Sequence, residues 1–296
     1  MNLIIVFDKD AYFFPSIDSK ENHVIEALRK SNGIWKAIRK MPIISNLAFN
    51  RELKKEASKA NKIIIFDSAY TTSLGRYLKR YKTINNVYCW NPIGIQKNSK
   101  LDRRIEVAKK YSHVYSFDLN DCQKYKLDFS PMIYTRRINE SVVPCEYSVF
   151  FLGSGKNRVK ALDKIISDLL YNISKCKFII IGERCECRSS NIEFSEKRYS
   201  YEEYIELLKK SKILLDIPQE GQRGNTIRVT ESLFYKKKMI TTNREIVNCD
   251  FYNPNNIFVI GISSPNSFED FIKSEYVDVE ERVLDKYDFE KWVEVI

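Results

Sequence analysis

Short apolar runs of strand length alternate with segments of helical periodicity from one end of the chain to the other. Leu3–Phe7 and Lys62–Phe66 are such runs, and Thr71–Tyr81, after the second, has the spacing of a helix. The alternation restarts at Ser148–Leu152, which precedes another helix-period segment. Strands that alternate with helices form parallel sheets covered on both faces. The sequence therefore predicts an α/β fold of two Rossmann-like, doubly wound domains that face each other across a cleft.

The restart of the pattern near Val143–Cys145 sets the predicted domain boundaries. Residues 1–145 are expected to form an N-terminal domain and residues 146–285 a C-terminal domain, each close to the usual size of ~150 residues. Apolar residues at spacings of three predict a terminal amphipathic helix within residues 286–296. Ligands of doubly wound sheets bind at the carboxyl ends of the strands, so residues that follow strands are the candidates for function.

Positive charge is concentrated in the first half. Residues 1–145 hold 26 Lys and Arg against 14 Asp and Glu, whereas the rest of the chain holds 23 against 25. The net charge of +10 therefore comes from the N-terminal domain. One interpretation is a solvated helix face, and the others are an anionic membrane surface, a phosphorylated substrate or nucleic acid. Because no base-reading motif accompanies the charge, nucleic acid is not the expected partner.

The apolar runs and the cysteines indicate the cellular compartment in which the protein is expected. No run approaches the ~18 apolar residues of a membrane span, and the first ten residues, MNLIIVFDKD, carry acids where a signal peptide has its apolar core. The seven cysteines are odd in number and scattered, which is typical of reduced thiols in a cytoplasm. Cys185 and Cys187 are spaced C-x-C without a second pair, so no metal site is expected.

The segment from Asp216 to Glu231 is the richest in polar groups and lies between a predicted strand and a predicted helix. Backbone N–H groups at a helix start, with the helix dipole behind them, favour an anion. Gly221 and Gly224 would let the chain approach a phosphate closely. Arg228, in the first helical turn, adds a guanidinium that suits phosphate oxygens. An anion site is therefore predicted here.

Glu231 shares a predicted helix face with Ile227 and Phe234, at spacings of four and three. Its carboxylate is therefore expected among apolar neighbours, where it needs partners because desolvating it alone is costly. Sugar hydroxyls, such as the ribose pair of a nucleotide, would bind it through charge-assisted hydrogen bonds. The alternative is an internal ion pair with an Arg or Lys.

Several motifs together resemble small bacterial GT-B glycosyltransferases of lipopolysaccharide, O-antigen and capsule synthesis. The resemblance spans roughly residues 60–260, and its strength lies in the order and spacing of motifs that are weak individually. The motifs are Phe66-Asp67-Ser68, Trp90-Asn91-Pro92-Ile93, Ser116-Phe117-Asp118, Asp121-Cys122-Gln123-Lys124-Tyr125, Phe151-Leu152-Gly153 and Arg228-Val229-Thr230-Glu231.

The resemblance implies that the C-terminal domain binds a nucleotide-sugar, with a UDP-sugar as the first choice, and that no metal is required. It implies a lipid-linked glycan or oligosaccharide acceptor in the N-terminal domain, a terminal helix that packs back on that domain, and a location on the inner face of the cytoplasmic membrane. The predicted donor-binding residues are Glu231, Arg228, Thr230, Gly224, Asn225, Thr226, Gln222, Gly153, Lys156, Arg158 and Gly182. For the loop that holds Lys156 and Arg158, an ordinary strand-to-helix turn is the alternative.

The resemblance also bears on stereochemistry. Many retaining GT-B enzymes carry a second Glu eight positions before the ribose Glu; here that position is Arg223, and Glu220 lies three residues too early. Inversion by a single displacement is therefore predicted, in which a base removes the proton of the acceptor hydroxyl. Asp67 is the first candidate for this base, followed by Asp118 and Asp8, and the alternative for each is a helix or turn cap.

Trp90 and Asn91 are the predicted acceptor-binding residues, since sugars stack on aromatic rings and bond to amides. A buried Trp that closes a strand is the alternative.

Two other functions of the protein remain open. A Rossmann oxidoreductase would need a G-x-G-x-x-G after its first strand, where Phe7–Asp10 stands instead. A non-catalytic module that binds nucleic acid or a protein partner would use the basic first half.

Overall fold

The computed structural model describes residues 1–28, 49–81, 83–93, 99–138, 141, 143–155 and 158–296, with the backbone alone for 99–102. The chain divides into two compact units, Met1–Pro131 together with Ile296, and Met132–Val295. This division precedes the predicted boundary at residue 145. The reason is that Tyr134 joins the C-terminal segment: its N–H donates to Tyr287 O, and its carbonyl accepts from Phe289 N–H, both at 2.8 Å.

Unit 1 is built on a parallel sheet of six strands in the order β2-β1-β3-β4-β5-β6. The strands are β1 (Asn2–Val6), β2 (Asn22–Glu26), β3 (Lys62–Phe66), β4 (Ile84–Cys89), β5 (His113–Ser116) and β6 (Asp128–Phe129). Successive residues Ile63, Ile64 and Ile65 are all fully buried. A strand that is buried on both faces needs such a continuous apolar run, which is why β3 was readable from the sequence.

The described helices of unit 1 are α1 (Phe14–Ile17), α2 (Arg51–Glu56), α3 (Thr72–Leu78), α4 (Ser99–Ala108) and α5 (Leu119–Tyr125). A one-turn 3₁₀ helix, Asp67–Ala69, follows β3 directly. One face of the sheet packs against α3 and α4 in a core that includes Leu74, Leu78 and Ile105. These two helices also contact each other, and α4 contacts β5, the strand that follows it.

Unit 2 has a second parallel sheet of six strands, in the order β12-β11-β10-β7-β8-β9. Its strands are β7 (Tyr147–Ser154), β8 (Lys177–Ile181), β9 (Ile192–Ser195), β10 (Ser211–Asp216), β11 (Lys238–Thr241) and β12 (Ile257–Val259). Its α-helices are α6 (Arg158–Asp168), α7 (Tyr201–Lys209), α8 (Ile227–Phe234), α9 (Phe268–Lys273), α10 (Glu281–Leu284) and α11 (Phe289–Val295). Adjacent residues of β7 face opposite cores: Phe150 packs with Ile179, and Phe151 packs with Ile180.

The predicted fold class of two Rossmann-like, doubly wound domains is confirmed. In each unit the chain changes direction across the sheet next to its first strand, between β1 and β3 in unit 1 and between β7 and β10 in unit 2. Crevices at such switch points, outside the carboxyl ends of the strands, are where α/β sheets bind ligands. Within the described ranges, no helix has the length and apolar character that crossing a bilayer requires.

Candidate active site

Arg228 lies at the switch point of the unit 2 sheet. Its guanidinium donates to Leu215 O of β10 at 3.1 Å and to Leu152 O of β7 at 2.5 Å. The rings of Phe151 and Tyr204 lie 5.1 and 5.9 Å from its central carbon, within cation–π range. Arg228 therefore ties together the two strands that flank the crevice, a role the sequence did not reveal.

Glu231, on α8, is 1% exposed, as its apolar helix face predicted. Its two carboxylate oxygens accept hydrogen bonds from two tyrosine hydroxyls of α7, Tyr201 at 2.8 Å and Tyr204 at 2.5 Å. Burial raises the pKa of Glu231 to about 7, and the Tyr204 bond and the charge of Arg228 oppose that rise. The hydrogen-bond partners of the carboxylate are therefore hydroxyl groups, as predicted, but these hydroxyls belong to the protein's own tyrosines.

The tyrosine network continues beyond Glu231. The hydroxyl oxygens of Tyr134 and Tyr201 are 2.7 Å apart. A phenol has one proton, so when Tyr201 donates to Glu231 the bond between the tyrosines must be donated by Tyr134. Burial raises the pKa of Tyr201 and Tyr204 well above the ordinary value, which keeps both hydroxyls as donors. The sequence signal for these partners was a pair of tyrosines three apart on one face of α7.

Asp216, at the end of β10, organises the loop that leads to α8. Its carboxylate accepts from Thr226 Oγ1 at 2.7 Å and Thr241 Oγ1 at 2.9 Å. Asn225 is held as well, because its side-chain oxygen accepts from Asn243 Nδ2 at 2.9 Å. These bonds fix the start of α8, and they employ the side chains of Asn225 and Thr226 that were predicted to bind the donor.

The other predicted residues of this loop and helix make local bonds. Gln222 Nε2 donates to the carbonyl of Gly224 at 3.0 Å, which closes the loop on itself. Thr230 Oγ1 donates to Ile227 O at 2.8 Å within α8, and the residue is 1% exposed. Both side chains therefore stabilise the loop and helix start, and donor binding by them stays a prediction.

Gly153 and Arg158 flank the turn from β7 to α6. A Cβ on Gly153 would lie 3.0 Å from Phe151 Cζ and 3.6 Å from Arg158 Nη1, so the guanidinium of Arg158 approaches a strand end that has no side chain. Burial and the charge of Arg228 lower the pKa of Arg158. Its Nε is buried and has no hydrogen-bond partner among the described residues. A partly desolvated guanidinium of this kind gains from an anion.

Gly182 and Lys156 are the two remaining predicted donor-binding residues. Gly182 follows β8 with a φ of +136°, a conformation that favours glycine, and an added Cβ would meet no described residue within 4 Å. Lys156 lies outside the described residues. Gly182 thus leaves open space at the end of β8, next in the sheet to the end of β7.

Asp67 occupies the carboxyl end of β3 in unit 1, where the 3₁₀ helix begins. Asn91 Nδ2 donates to both of its carboxylate oxygens, at 3.1 and 3.3 Å. Burial raises the pKa of Asp67 to about 6, while the Asn91 bond and the charge of Arg104 lower it. The structure thus brings together the first candidate base and one of the two predicted acceptor residues.

Arg104, on α4, fixes the backbone around Asp67. Its Nη2 donates to Asp67 O at 2.7 Å and also to Tyr70 O. The guanidinium therefore braces both ends of the short 3₁₀ turn that presents the carboxylate. Sequence reasoning missed this residue because α4 lies 37 residues along the chain from Asp67.

Trp90 packs in an aromatic cluster. Its ring centroid lies 4.8 Å from that of Tyr12 and 5.2 Å from those of both Phe14 and Phe66. The indole N–H is buried and has no hydrogen-bond partner within the described ranges. The residue as a whole is partly exposed, so acceptor binding by Trp90 stays a prediction.

The other two candidate bases serve as caps. Asp118 is the N-cap of α5, accepting from Asn120 N–H at 2.9 Å and Asp121 N–H at 3.4 Å, and it is 2% exposed. Asp8 is exposed, and its carboxylate accepts from Asp10 N–H at 3.1 Å. In the part of the chain that is described, no three His, Cys, Asp or Glu side chains come together as a metal site.

Comparison with known proteins gives matches in structure alone. No protein-family profile matches the sequence, and no curated protein is significantly similar to it. The sucrose-phosphate synthase of Thermosynechococcus elongatus matches with a TM-score of 0.56 at 9% identity, over 98% of this chain and 95% of that one. The UDP-forming α,α-trehalose-phosphate synthase of Burkholderia vietnamiensis matches with a TM-score of 0.55 at 9% identity, over 99% and 95%.

A third match is an α-glucosyltransferase in complex with UDP and a 13-mer DNA, with a TM-score of 0.51 at 11% identity over 99% of this chain and 93% of that one. Identities this low establish a common fold. These neighbours are GT-B glycosyltransferases, and each spans nearly the whole chain. The chain therefore has the GT-B fold, with two Rossmann-like domains built on its two parallel sheets.

Proposed function

We propose that this protein is a glycosyltransferase that moves a hexose or deoxyhexose from a nucleoside-diphosphate donor to a saccharide acceptor. The names of its structural neighbours support sugar transfer, and two of those names include UDP, which makes a UDP-sugar the first choice of donor. The observation that carries the proposal is Asp67: in a GT-B fold, a carboxylate with a pKa of about 6 stands at the carboxyl end of a strand beside the switch point of unit 1.

The reaction proposed is a single displacement with inversion. Asp67 accepts the proton of an acceptor hydroxyl while that oxygen forms a bond to the anomeric carbon of the donor. The bond from that carbon to the diphosphate breaks, and the nucleoside diphosphate leaves with the electron pair. A base with a pKa of about 6 is mostly ionised at neutral pH and binds a proton better than an ordinary aspartate does. Asp67 suits this step better than Asp118, which is committed to a helix cap.

Donor binding is proposed for the switch point of unit 2. Arg158 is the best candidate for the diphosphate, since its guanidinium is partly desolvated, lies against Gly153 and has an Nε–H without a partner among the described residues. Its fixed positive charge would stabilise the leaving group without a metal ion. Arg228 would contribute its positive charge at a distance, because its terminal nitrogens already bind strand carbonyls.

The ribose is proposed to bind Glu231. Because Glu231 is 1% exposed and bonded to two tyrosines, a ribose hydroxyl can reach it when Tyr201 or Tyr204 turns away. The ribose would replace a phenol hydroxyl with another hydroxyl, so the number of hydrogen bonds to the carboxylate is conserved. Tyr201 and Tyr204 therefore hold the carboxylate in place until the donor arrives.

The acceptor proposed is a lipid-linked glycan or oligosaccharide of bacterial surface polysaccharide synthesis, such as lipopolysaccharide, O-antigen or capsule. This part of the proposal is supported by the motif resemblance and by the basic N-terminal half, whose charge suits an anionic membrane surface. Trp90 and Asn91 are retained as neighbours of the acceptor site, with Asn91 in contact with Asp67. The protein would work at the inner face of the cytoplasmic membrane.

A nucleotide-binding screen tests the proposal. UDP, GDP, CMP, ADP and dTDP are added to the protein in EDTA, and the melting temperature is recorded; a ligand at 100 times its Kd stabilises the native state by about 2.7 kcal/mol. One nucleotide should raise the melting temperature. Arg158→Gln should abolish most of that rise, whereas Arg198→Gln, at an exposed arginine of the same unit, should preserve it. Absence of any rise at millimolar nucleotide would overturn the proposal.

A further inference from the structure

A cavity of about 1080 Å³ opens at the switch point of unit 1, at the carboxyl ends of β1, β2 and β3. This volume is slightly above the usual range for small-molecule sites, roughly 300–1,000 Å³. Ser68, the residue after Asp67, belongs to its lining, and so does Arg104, which braces the backbone of Asp67. The cavity therefore adjoins the proposed base and has room for a saccharide.

The two walls of this cavity differ in charge. The helix wall carries Arg76 of α3, Arg103 of α4 and Lys110, just after α4. All three side chains are exposed, and among the described residues none has a carboxylate within ion-pair distance. The strand wall carries the carboxylates of Asp8 and Glu26, whose observed partners are backbone N–H groups.

This division of charge matches a ligand that carries a phosphate at one end and sugar hydroxyls at the other. Unpaired guanidinium and ammonium groups that converge on one cavity bind phosphate oxygens strongly, and Arg does so with two parallel hydrogen bonds. Carboxylates on the opposite wall accept hydrogen bonds from sugar hydroxyls, whereas they would repel a second phosphate there. A purely anionic surface, such as a membrane, would not need the acidic wall.

We infer that this cavity binds a phosphate monoester carried by the saccharide acceptor, with the phosphate on Arg76, Arg103 and Lys110 and the sugar hydroxyls toward Asp8 and Glu26. The inference rests on the proposed function and narrows its acceptor to a phosphorylated saccharide. The phosphate would orient the acceptor so that one of its hydroxyls lies beside Asp67. The three basic residues are thus binding and orienting residues, and Asp67 remains the catalytic one.

The test is calorimetric titration with hexose 6-phosphates and hexose 1-phosphates, with the parent hexoses and inorganic phosphate as comparisons, with and without UDP. The wild-type protein should bind at least one hexose phosphate more than tenfold tighter than the parent hexose. The variant Arg76→Gln/Arg103→Gln/Lys110→Gln should lose at least tenfold in affinity. A control that removes three exposed lysines outside the cavity, Lys20→Gln/Lys54→Gln/Lys59→Gln, should keep it.

The variant Arg76→Lys/Arg103→Lys keeps the positive charge but loses the paired hydrogen bonds of the guanidinium groups, so its affinity should lie between those of the wild type and the triple variant. Failure of every hexose phosphate to bind below 10 mM, or equal binding by the cavity variant, would overturn the inference. Loss of binding to vesicles of phosphatidylcholine and phosphatidylglycerol in the cavity variant, with no hexose phosphate bound by the wild type, would overturn it in favour of a lipid headgroup.

UDP titrations separate this inference from the proposed function. Retained UDP binding without hexose-phosphate binding refutes the acceptor site and leaves the glycosyltransferase standing. Hexose-phosphate binding that depends on Arg76, Arg103 and Lys110, in a protein that binds no nucleotide, supports the phosphate site and refutes the donor assignment. Melting temperatures of all variants confirm folding, because substitutions at exposed positions change stability little.

Discussion

Asn91 donates its side-chain amide to both carboxylate oxygens of Asp67, at 3.1 and 3.3 Å. Burial raises the pKa of this carboxylate, and the Asn91 bond opposes the rise, so the pKa settles at about 6. The two residues were predicted for different roles, base and acceptor contact. Because of this contact, Asn91, two residues after β4, lowers the pKa of the carboxylate at the end of the neighbouring strand β3.

Asp67→Asn should abolish transfer while it preserves the fold, because the amide has the shape of the carboxylate but cannot take a proton. We expect kcat to fall by about 10²–10⁴-fold, the usual contribution of a general base. Nucleotide affinity should stay unchanged, since the donor is assigned to unit 2. Steady-state kinetics and calorimetry check both parts, and near-normal turnover in this variant would place the base elsewhere.

Asn91→Ala should shift the pH dependence of transfer. The base must be deprotonated to work, so wild-type activity should rise with pH through about 6. Without the amide, the pKa of Asp67 rises further, and the acid limb of the pH–rate profile should move to higher pH. Kinetics from pH 5 to pH 8 measure this; an unmoved limb, or one moved toward lower pH, would contradict the coupling.

Asp118→Ala should reduce the free energy of unfolding and leave kcat nearly unchanged. The carboxylate caps α5, and loss of an N-cap costs about 0.5–2 kcal/mol. Urea denaturation should show this loss, with kcat within about twofold of the wild type at a temperature where both proteins are folded. A fall in kcat as large as that of Asp67→Asn would mean that the second candidate is the base after all.

Glu231→Gln should remove a pH dependence of stability. The native pKa of Glu231, about 7, is raised above its ordinary value of 4.5, so the native state holds a proton that the unfolded chain releases. The resulting stability is complete below pH 4.5 and is lost as pH rises through 7, by up to roughly 3 kcal/mol. Urea unfolding of both proteins at pH 5 and pH 8 should show the wild type losing more stability than the variant; parallel curves would refute a buried titrating glutamate.

Tyr204→Phe should destabilise unit 2 because it removes the hydroxyl that donates a hydrogen bond to the buried carboxylate of Glu231. Hydrogen bonds to charged groups contribute about 1.5–3 kcal/mol, and the loss should be larger at pH 8, where Glu231 is ionised, than at pH 5. Tyr171→Phe is the matched control, since that side chain is 70% exposed. Equal effects of the two substitutions would show that the Tyr204 bond does not stabilise the carboxylate.

The sequence predicted strands well where both faces are buried. Lys62–Phe66 was predicted with its observed ends, because four consecutive apolar residues follow Lys62 and polar residues follow Phe66. β2 was missed, since Asn22, His23 and Glu26 interrupt its apolar pattern. Met132–Tyr134 also has the apolar composition of a strand, yet in the structure Tyr134 forms an isolated bridge with Asp288. That pairing joins residues more than 150 positions apart, beyond the reach of any local pattern.

Side-chain partners in the site were harder to predict than burial. The helical periodicity indicated that Glu231 is buried, but the tyrosines that satisfy it come from another helix, 27 and 30 residues earlier. Arg228 was predicted to bind phosphate from its position in a helix start, whereas the fold brings two strand carbonyls within its reach. Such partners depend on how α7, β7 and β10 pack, which local spacing does not encode.

The most direct test of the central claim is release of nucleoside diphosphate from the nucleotide-sugar whose nucleotide binds best, measured in EDTA with water as the slow acceptor. We expect release by the wild type, a first-formed sugar of inverted anomeric configuration by NMR, and loss of release in Asp67→Asn. Release that is absent from the wild type, or equal in Asp67→Asn, would contradict a glycosyltransferase that uses Asp67 as its base.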